Sequence, residues 1–158
     1  MPIQSAGVLL YRARPAGFEV LLIHMGGPIW ARKDLGAWSI PKGVIGPEEE
    51  PLAAARREFR EETGFDADGA FEFLGRFRQN SSKQLAVWAL EGDCDPLTLK
   101  STAFTMIWPP KSGKLREFPE ADRAEWFDRE KGLSRIVKGQ RIVLEEFFAR
   151  HPRPEGSG

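Results

Sequence analysis

The sequence has little cysteine and histidine, and it has no surplus of charge. Cys94 is the only cysteine and there are 2 histidines in 158 residues, which excludes an internal disulfide and a Cys/His zinc site. The 23 Lys and Arg residues balance 23 Asp and Glu residues, so bulk charge does not favour DNA, RNA or an anionic membrane as a partner. No run of about eighteen apolar residues and no leader-like start is present. We therefore expect no membrane association, a reducing compartment and a cytoplasmic location.

What is present is typical of one globular domain. The chain is 41% apolar and 29% charged, and it is long enough to bury its own core. We find no internal repeat and no linker. We therefore predict one domain over residues 1–150, followed by a disordered tail over 151–158 that is rich in Pro and Gly.

The pattern of apolar and turn-forming residues predicts an α/β domain. The predicted strands cover residues 5–12, 18–25, 38–40, 71–77, 84–90, 103–108 and 125–127, the first two forming a hairpin. A helix is predicted from residue 48 to a stop at Gly64, and a second amphipathic helix over 136–148. Residues 91–98 and 111–116 are predicted to be loops.

Three carboxylates share one side of the first predicted helix. Glu58 and Glu62 are four residues apart and Glu61 is three from Glu58, so their like charges repel. A hard divalent cation would relieve this repulsion, and a set of oxygen ligands favours Mg²⁺ or Mn²⁺ over Zn²⁺. Arg57 lies four residues before Glu61 and is predicted to hold that carboxylate by a forked ion pair.

A helix rich in Glu and Arg is more often a solvated surface than a site. The loop before this helix favours a functional site over a solvated surface. Pro41-Lys42-Gly43 and Gly46-Pro47 can bring backbone amides and one lysine close to a phosphate, and Glu49 adds a further acid. A cation site and an anion site would then be neighbours.

The segment from Gly43 to Phe65 resembles the Nudix box, G-x5-E-x7-R-E-U-x-E-E-x-G-U, in which U is apolar. All nine spaced positions are filled, by Gly43, Glu49, Arg57, Glu58, Phe59, Glu61, Glu62, Gly64 and Phe65. The one mild departure is the aromatic Phe59, where the family more often has an aliphatic residue. Residues 38–43 also look like the strand that leads into this box.

The resemblance implies a Nudix fold, in which a mixed β-sheet is sandwiched between helices (α/β/α). It also implies hydrolysis of a nucleoside diphosphate linked to another moiety, with Mg²⁺ or Mn²⁺ bound. By the same resemblance, Glu58 and Glu62 are the main metal ligands, and Glu61 and the carbonyl of Gly43 are additional ones. Arg57 would orient the carboxylates.

The general base lies in the box or on a later loop in different Nudix enzymes, so Glu61 and several later acids are candidates. We favour Glu120, because residues 120–126 look like the segment before the last strand of the family's diadenosine-polyphosphate hydrolases. The alternative is that Glu120 only caps or decorates a loop. Glu61, Glu120 and Arg57 are thus the predicted catalytic residues.

Three further residues are predicted to bind the substrate. Lys42 stands beside Gly43 and could hold a phosphate, while Trp38 and Trp30 offer stacking faces for a base. Residues 108–113 and 118–120 resemble a bacterial Nudix group described as predicted NTP pyrophosphohydrolases.

Two functions remain open at this point. The first is an active pyrophosphohydrolase on an NTP or a dinucleoside polyphosphate, which the complete carboxylate set favours. The second is a Nudix domain used as a nucleotide-binding sensor or interaction module, although such domains usually lose box glutamates. The expected partner is a small-molecule nucleotide with no stable nucleic acid complex, and a homodimer is left open.

Overall fold

The computed structural model describes residues 2–153, which form a seven-stranded mixed sheet, a two-stranded sheet and three α-helices. The strands are β1 (Ile3–Arg14), β2 (Gly17–Met25), β3 (Trp38–Ser39), β4 (Lys42–Val44), β5 (Phe71–Asn80), β6 (Lys83–Glu91), β7 (Ala103–Ile107), β8 (Leu115–Pro119) and β9 (Ala121–Phe127). The helices are α1 (Pro51–Thr63), α2 (Arg129–Arg135) and α3 (Arg141–Arg150). Short 3-10 helices cover Pro96–Thr98 and Lys138–Gln140.

Strand β1 organises the large sheet. It pairs in parallel with β6 on one edge, while its other edge pairs antiparallel with β4 near the start and with β2 near the end. Strand β5 extends the sheet beyond β6 and β9 extends it beyond β2, while β3 pairs with β2 on the same edge as β1. This arrangement places β4, which carries Gly43, beside the centre of the sheet.

Helices cover both faces of the large sheet. On one face, α1 buries Ala54, Ala55 and Phe59. On the other face, α3 buries Leu144 and Phe147 among its apolar residues. The predicted α/β sandwich is therefore confirmed. None of the helices in residues 2–153 is both long and apolar enough to cross a membrane.

The second predicted helix, over 136–148, is wrong in its first part. Asp128 accepts a hydrogen bond from the Lys131 N–H at 2.9 Å and starts α2 earlier, while α3 begins only at Arg141. Between the two helices, Ile136 is extended and the Val137 N–H donates to the Trp38 carbonyl at 2.8 Å. At these residues the backbone therefore pairs with the sheet edge, although their apolar residues have helical spacing.

The predicted loop over 111–116 is also wrong at its end, because β8 begins at Leu115 and pairs antiparallel with β7. The final strand is longer than the predicted residues 125–127, since β9 begins at Ala121. Neither β8 nor the start of β9 has the alternation of apolar and polar residues that would reveal a strand from sequence.

The predicted tail over 151–158 lies partly outside the described residues. The His151 ring stacks on Phe147 with the ring centroids 4.4 Å apart, and its Nε2 lies 3.0 Å from a carboxylate oxygen of Glu72. His151 is therefore packed against α3 and β5. Residues 154–158 are not among the described residues, and the prediction for them stays a prediction.

Candidate active site

Helix α1 is delimited by residues whose backbone suits its two ends. Pro51 occupies the first turn, where the N–H it lacks would have no helical partner. Gly64 closes the helix with φ of 80°, and its N–H donates to the Arg60 carbonyl at 2.8 Å. Because Ala55 and Phe59 fix the buried stripe, the carboxylates of the box project beside the sheet rather than into it.

Glu58 lies directly against Gly43. Strand β4 pairs with β1 in the register that sets Gly43 opposite Ala6, and this register brings Gly43 under α1. A Cβ atom on Gly43 would overlap the carboxylate group of Glu58. Glycine is therefore the residue that lets the backbone of β4 approach this carboxylate.

Arg57 ties the box together through five hydrogen bonds. Its Nε and Nη2 bind the two carboxylate oxygens of Glu49 at 2.8 and 2.9 Å, and its Nη1 donates to Glu58 at 2.8 Å and Glu61 at 3.1 Å. The fifth bond, from Nη2, goes to the Val44 carbonyl at 3.2 Å. The forked ion pair predicted with Glu61 is therefore wrong, because the fork faces Glu49 and Glu61 receives a single bond.

Glu49 also fixes the loop before α1. Its Oε1 accepts a hydrogen bond from the Gly46 N–H at 2.9 Å. The bond to Arg57 and this backbone bond lower the pKa of Glu49 to about 2. Glu49 therefore remains ionised and holds both the loop and the guanidinium group in place.

Glu58, Glu62 and Glu120 lie close enough for their charges to interact, and Lys42 acts on Glu62 and Glu120. Burial raises the pKa of Glu62 to about 8; Lys42 opposes the shift, while Glu58 and Glu120 add to it. Burial also raises the pKa of Glu120, and Glu58 adds to that shift. The N–H of Lys42 donates to Glu62 at 3.3 Å. The fold thus brings Glu120 close enough to the box helix to interact with its charges.

The backbone around Glu120 is fixed from two sides. The Glu120 N–H donates to the Thr102 carbonyl at 2.8 Å, and the Gly26 N–H donates to the Glu120 carbonyl at 2.9 Å. The Thr102 N–H in turn donates to the carbonyl of Glu61 at 2.7 Å. Glu120 is therefore attached to α1, although its side chain stays exposed.

A buried histidine joins the segment that follows β2 to the start of β9, a link that no motif in the sequence indicates. His24 is fully buried, its Nδ1 lies 2.8 Å from Asp122 Oδ1, and its Nε2 lies 2.6 Å from the Lys33 carbonyl. Asp122 and the Lys33 carbonyl thus occupy both nitrogen atoms of the ring. This link fixes the segment that carries Trp30 relative to Glu120.

The two tryptophans predicted to stack on a base differ in the structure. The prediction for Trp38 is wrong, because its ring is 1% exposed and packs between His24 and Phe127, with Nε1 donating to Asp34 at 2.9 Å. A ring without a free face cannot stack on a ligand. Trp30 is half-buried, with the ammonium group of Lys33 lying 5.2 Å from its ring centroid, and its role stays a prediction.

The donor set fits a hard divalent cation, although it is not arranged as a finished metal site. In the described part of the chain, no three acidic, histidine or cysteine side chains converge on one point, and Glu58 and Glu61 are bonded to Arg57. The candidate ligands Glu58, Glu61, Glu62 and the Gly43 carbonyl all offer oxygen atoms. Burial is the main cause of the raised pKa of Glu62, and the charges of Glu58 and Glu120 add to it, so a cation bound here would offset their repulsion.

The mixed sheet between helices, with a carboxylate-bearing helix packed against Gly43, is the arrangement that the resemblance to the Nudix box implies. A family model described as the NUDIX domain matches residues 1–147 of the chain. The chain therefore belongs to the Nudix family of pyrophosphohydrolases.

Curated relatives agree with this assignment. An RNA pyrophosphohydrolase of Brucella anthropi is 29% identical over an alignment of length 159, which covers 82% of this chain and 84% of that protein. The RNA pyrophosphohydrolase of Mesorhizobium japonicum is 30% identical over 130 residues, covering 71% and 68%.

Among solved structures, a C. elegans Ap4A hydrolase in a binary complex matches with a TM-score of 0.65 and 20% identity, over 92% of this chain and 96% of that one. The NUDIX domain of Shewanella oneidensis NrtR, complexed with ADP ribose, matches with a TM-score of 0.65 and 14% identity, over 95% and 88%. At these sequence identities the two structures support only the assignment of the fold.

Proposed function

We propose that this protein hydrolyses a phosphoanhydride bond in a nucleoside diphosphate linked to another moiety, with Mg²⁺ bound or Mn²⁺ in its place. One observation carries the proposal. Glu58 lies against Gly43, and the charges of Glu58, Glu62 and Glu120 all act on one another around Lys42. Such a group of carboxylates beside a lysine suits a cation and a polyphosphate held side by side.

The residues of the box would hold the cation. Glu58, Glu62 and the Gly43 carbonyl are the proposed main ligands, and Glu61 is a further one. The bound cation would neutralise phosphate charge and favour attack by water at phosphorus. Arg57 keeps the carboxylates in position through the bonds described above, and Lys42 binds a phosphate oxygen as a second positive charge.

Glu120 is the proposed general base. It accepts a proton from the water whose oxygen attacks phosphorus, while the bridging P–O bond breaks and the second phosphate leaves with the bonding electrons. Its exposed carboxyl group has a raised pKa, which brings its basicity closer to neutral pH. Glu61 is the weaker candidate, because its carboxylate accepts a hydrogen bond from Arg57.

The proposed substrate is of the NTP or dinucleoside-polyphosphate type, a small-molecule nucleotide. The Ap4A hydrolase among the structural neighbours supports a test of dinucleoside polyphosphates. The relatives named RNA pyrophosphohydrolase add RNA that ends in a 5′ triphosphate to the same test. In all of these substrates, water would attack a phosphoanhydride next to a nucleoside.

A release assay tests the reaction. The purified chain is incubated with NTPs, dinucleoside polyphosphates, ADP-ribose, nucleotide sugars and 5′-triphosphorylated RNA, with Mg²⁺, with Mn²⁺ or with EDTA. We expect turnover on at least one class, lost in EDTA and reduced more than about 100-fold by Glu62→Gln. The matched control is Glu145→Gln, which removes one exposed carboxylate from α3 on the other face of the sheet.

Two outcomes would contradict the proposal. Turnover that persists in Glu62→Gln would remove the box from the reaction. Metal-dependent binding of a nucleotide with no turnover on any substrate would instead favour the nucleotide-binding sensor.

A further inference from the structure

Strands β7 and β8 form a hairpin whose two faces differ in chemistry. Because residues directly opposite each other share a face, Phe104 and its partner Phe118 lie on one face, together with Met106. Ile107 and its partner Leu115 lie on the other face, where they are 48% and 72% exposed. The first face is half-buried because it turns toward the body of the protein.

A cleft separates this inner face from the segment that follows β2. Residues 26–30 form one wall of the cleft, and Phe104 and Met106 form the other. We call it the hairpin cleft; its volume is about 200 Å³. At its base the two walls touch, since a Cβ atom on Gly27 would come within 2.9 Å of the Phe104 ring.

The hairpin cleft lies beside the candidate active site. A Cβ atom on Gly26 would overlap the carbonyl of Pro119, so the cleft wall and the end of β8 are in direct backbone contact. The next residue, Glu120, is the proposed general base, and its carbonyl accepts the Gly26 N–H at 2.9 Å. A ligand in the cleft therefore lies next to the residue that faces the proposed phosphate site.

Two cations lie beside the aromatic rings of the cleft region. The ammonium group of Lys33 is 5.2 Å from the ring centroid of Trp30, and the guanidinium group of Arg116 is 5.9 Å from that of Phe118. Aromatic faces next to positive charges suit a flat, apolar group that is attached to an anionic chain. The small volume and the position beside the phosphate site favour a single base over a peptide segment.

We propose that the hairpin cleft binds the nucleobase of the substrate, between Phe104 and Trp30, while the phosphates extend past Glu120 to Lys42. This inference rests on the proposed function, since it assumes a nucleotide at the box. The lining is apolar side chains and glycine backbone, so binding depends on the presence of a base more than on its identity.

A binding comparison isolates the base from the phosphates. With Mg²⁺ present, calorimetry gives the Kd of α,β-methylene ATP and of its abasic counterpart, in which hydrogen replaces adenine. We expect Phe104→Ala to raise the Kd of the ATP analogue roughly tenfold, with a smaller rise for Met106→Ala, and the Kd of the abasic ligand to stay unchanged. Leu115→Ala is the matched control, because it truncates an apolar residue on the outer face of the same hairpin.

The possible results separate this proposal from the proposed reaction. It is overturned if wild-type protein binds the two ligands equally, if both cleft variants leave the Kd of the ATP analogue unchanged, or if they weaken both ligands alike. Met106→Ala is included in case Phe104→Ala fails to fold, because it keeps the contact between Phe104 and Gly27. If the cleft variants lose only the ATP analogue while the release assay finds no turnover, the base site stands and the hydrolase proposal falls.

Discussion

Arg57 shows how much of the candidate site depends on one side chain. Its guanidinium group forks onto Glu49 and also donates to Glu58 and Glu61. Lysine carries the same charge but cannot form the fork. We therefore expect Arg57→Lys to lower kcat by roughly ten- to a hundredfold and to weaken Mg²⁺ activation, with little change in thermal stability.

Steady-state kinetics at several Mg²⁺ concentrations measure this effect. The matched control is Arg60→Lys on the same helix, because the Arg60 side chain is 74% exposed and has only a loose ion pair, 3.5 Å, with Asp66. Equal losses in the two variants would mean that the helix tolerates no lysine. An unchanged kcat in Arg57→Lys would remove the fork from the mechanism.

Contacts between residues close in sequence could be predicted, whereas contacts that depend on the tertiary fold could not. The spacing on α1 gave the contact between Arg57 and Glu61, because residues four apart on a helix are neighbours. The stronger contact with Glu49 requires the loop before α1 to close, which spacing does not report. The burial of Trp38 likewise does not follow from local spacing, since it depends on β2, β9 and the segment after α2.

Cys94 offers a test of burial at a single residue. Burial raises the pKa of its thiol to about 11, well above that of a free cysteine, so the thiol stays neutral at pH 8. Because thiolate is the reactive form, we expect iodoacetamide to modify the native protein roughly 100-fold more slowly than the urea-unfolded protein at pH 8. The native rate should rise about tenfold per pH unit between pH 8 and 10.

Since Cys94 is the only cysteine, mass spectrometry of the whole chain follows the reaction directly. A native rate that matches the unfolded rate at pH 8 would contradict the raised pKa.

At the scale of elements, Gln140 fastens the start of α3 to the sheet. It is 1% exposed, its Oε1 accepts the Ile40 N–H at 2.9 Å, and its Nε2 donates to Ser39 at 3.0 Å and Gln79 at 3.2 Å. Gln140→Ala would leave the buried Ile40 N–H without its partner. We expect the free energy of unfolding to fall by about 2–3 kcal/mol, measured by urea denaturation.

The control for this prediction is Lys138→Ala, which removes an exposed side chain from the same 3-10 helix. A loss below about 0.5 kcal/mol in Gln140→Ala, as is usual for surface sites, would show that water replaces the amide.

Elements with a regular pattern and clear ends could be predicted, whereas β8 and the first part of the second predicted helix could not. Helix α1 combines apolar spacing with Pro51 and Gly64 as end signals. The apolar residues over 136–148 have helical spacing too, but the sheet edge recruits Ile136 by pairing it with Trp38. Such pairing is a tertiary contact with a residue far away in the sequence, so the apolar periodicity of one segment cannot predict it.

At the scale of the whole molecule, the candidate site exists because the sheet joins distant segments. Gly43 comes from a strand beside β1, Glu58 and Glu62 from α1, and Glu120 from the turn between β8 and β9. The box motif identified the first two from sequence. Glu120 was predicted only by resemblance, and the bonds through Gly26 and Thr102 that bring it to α1 have no signature in the sequence.

If these segments hold a cation, cation binding must stabilise the whole fold. A ligand that binds only the folded state adds about 2.7 kcal/mol at a concentration 100 times its Kd, or roughly 5–10 °C in Tm for a domain of this size. We expect Mg²⁺ to raise the Tm of EDTA-treated protein by this amount and to have little effect on Glu62→Gln. Calorimetric scans at constant ionic strength measure both, with Glu145→Gln as the control that keeps the full shift. An equal shift in Glu62→Gln would mean that the cation binds elsewhere, because Glu62 is one of its proposed main ligands.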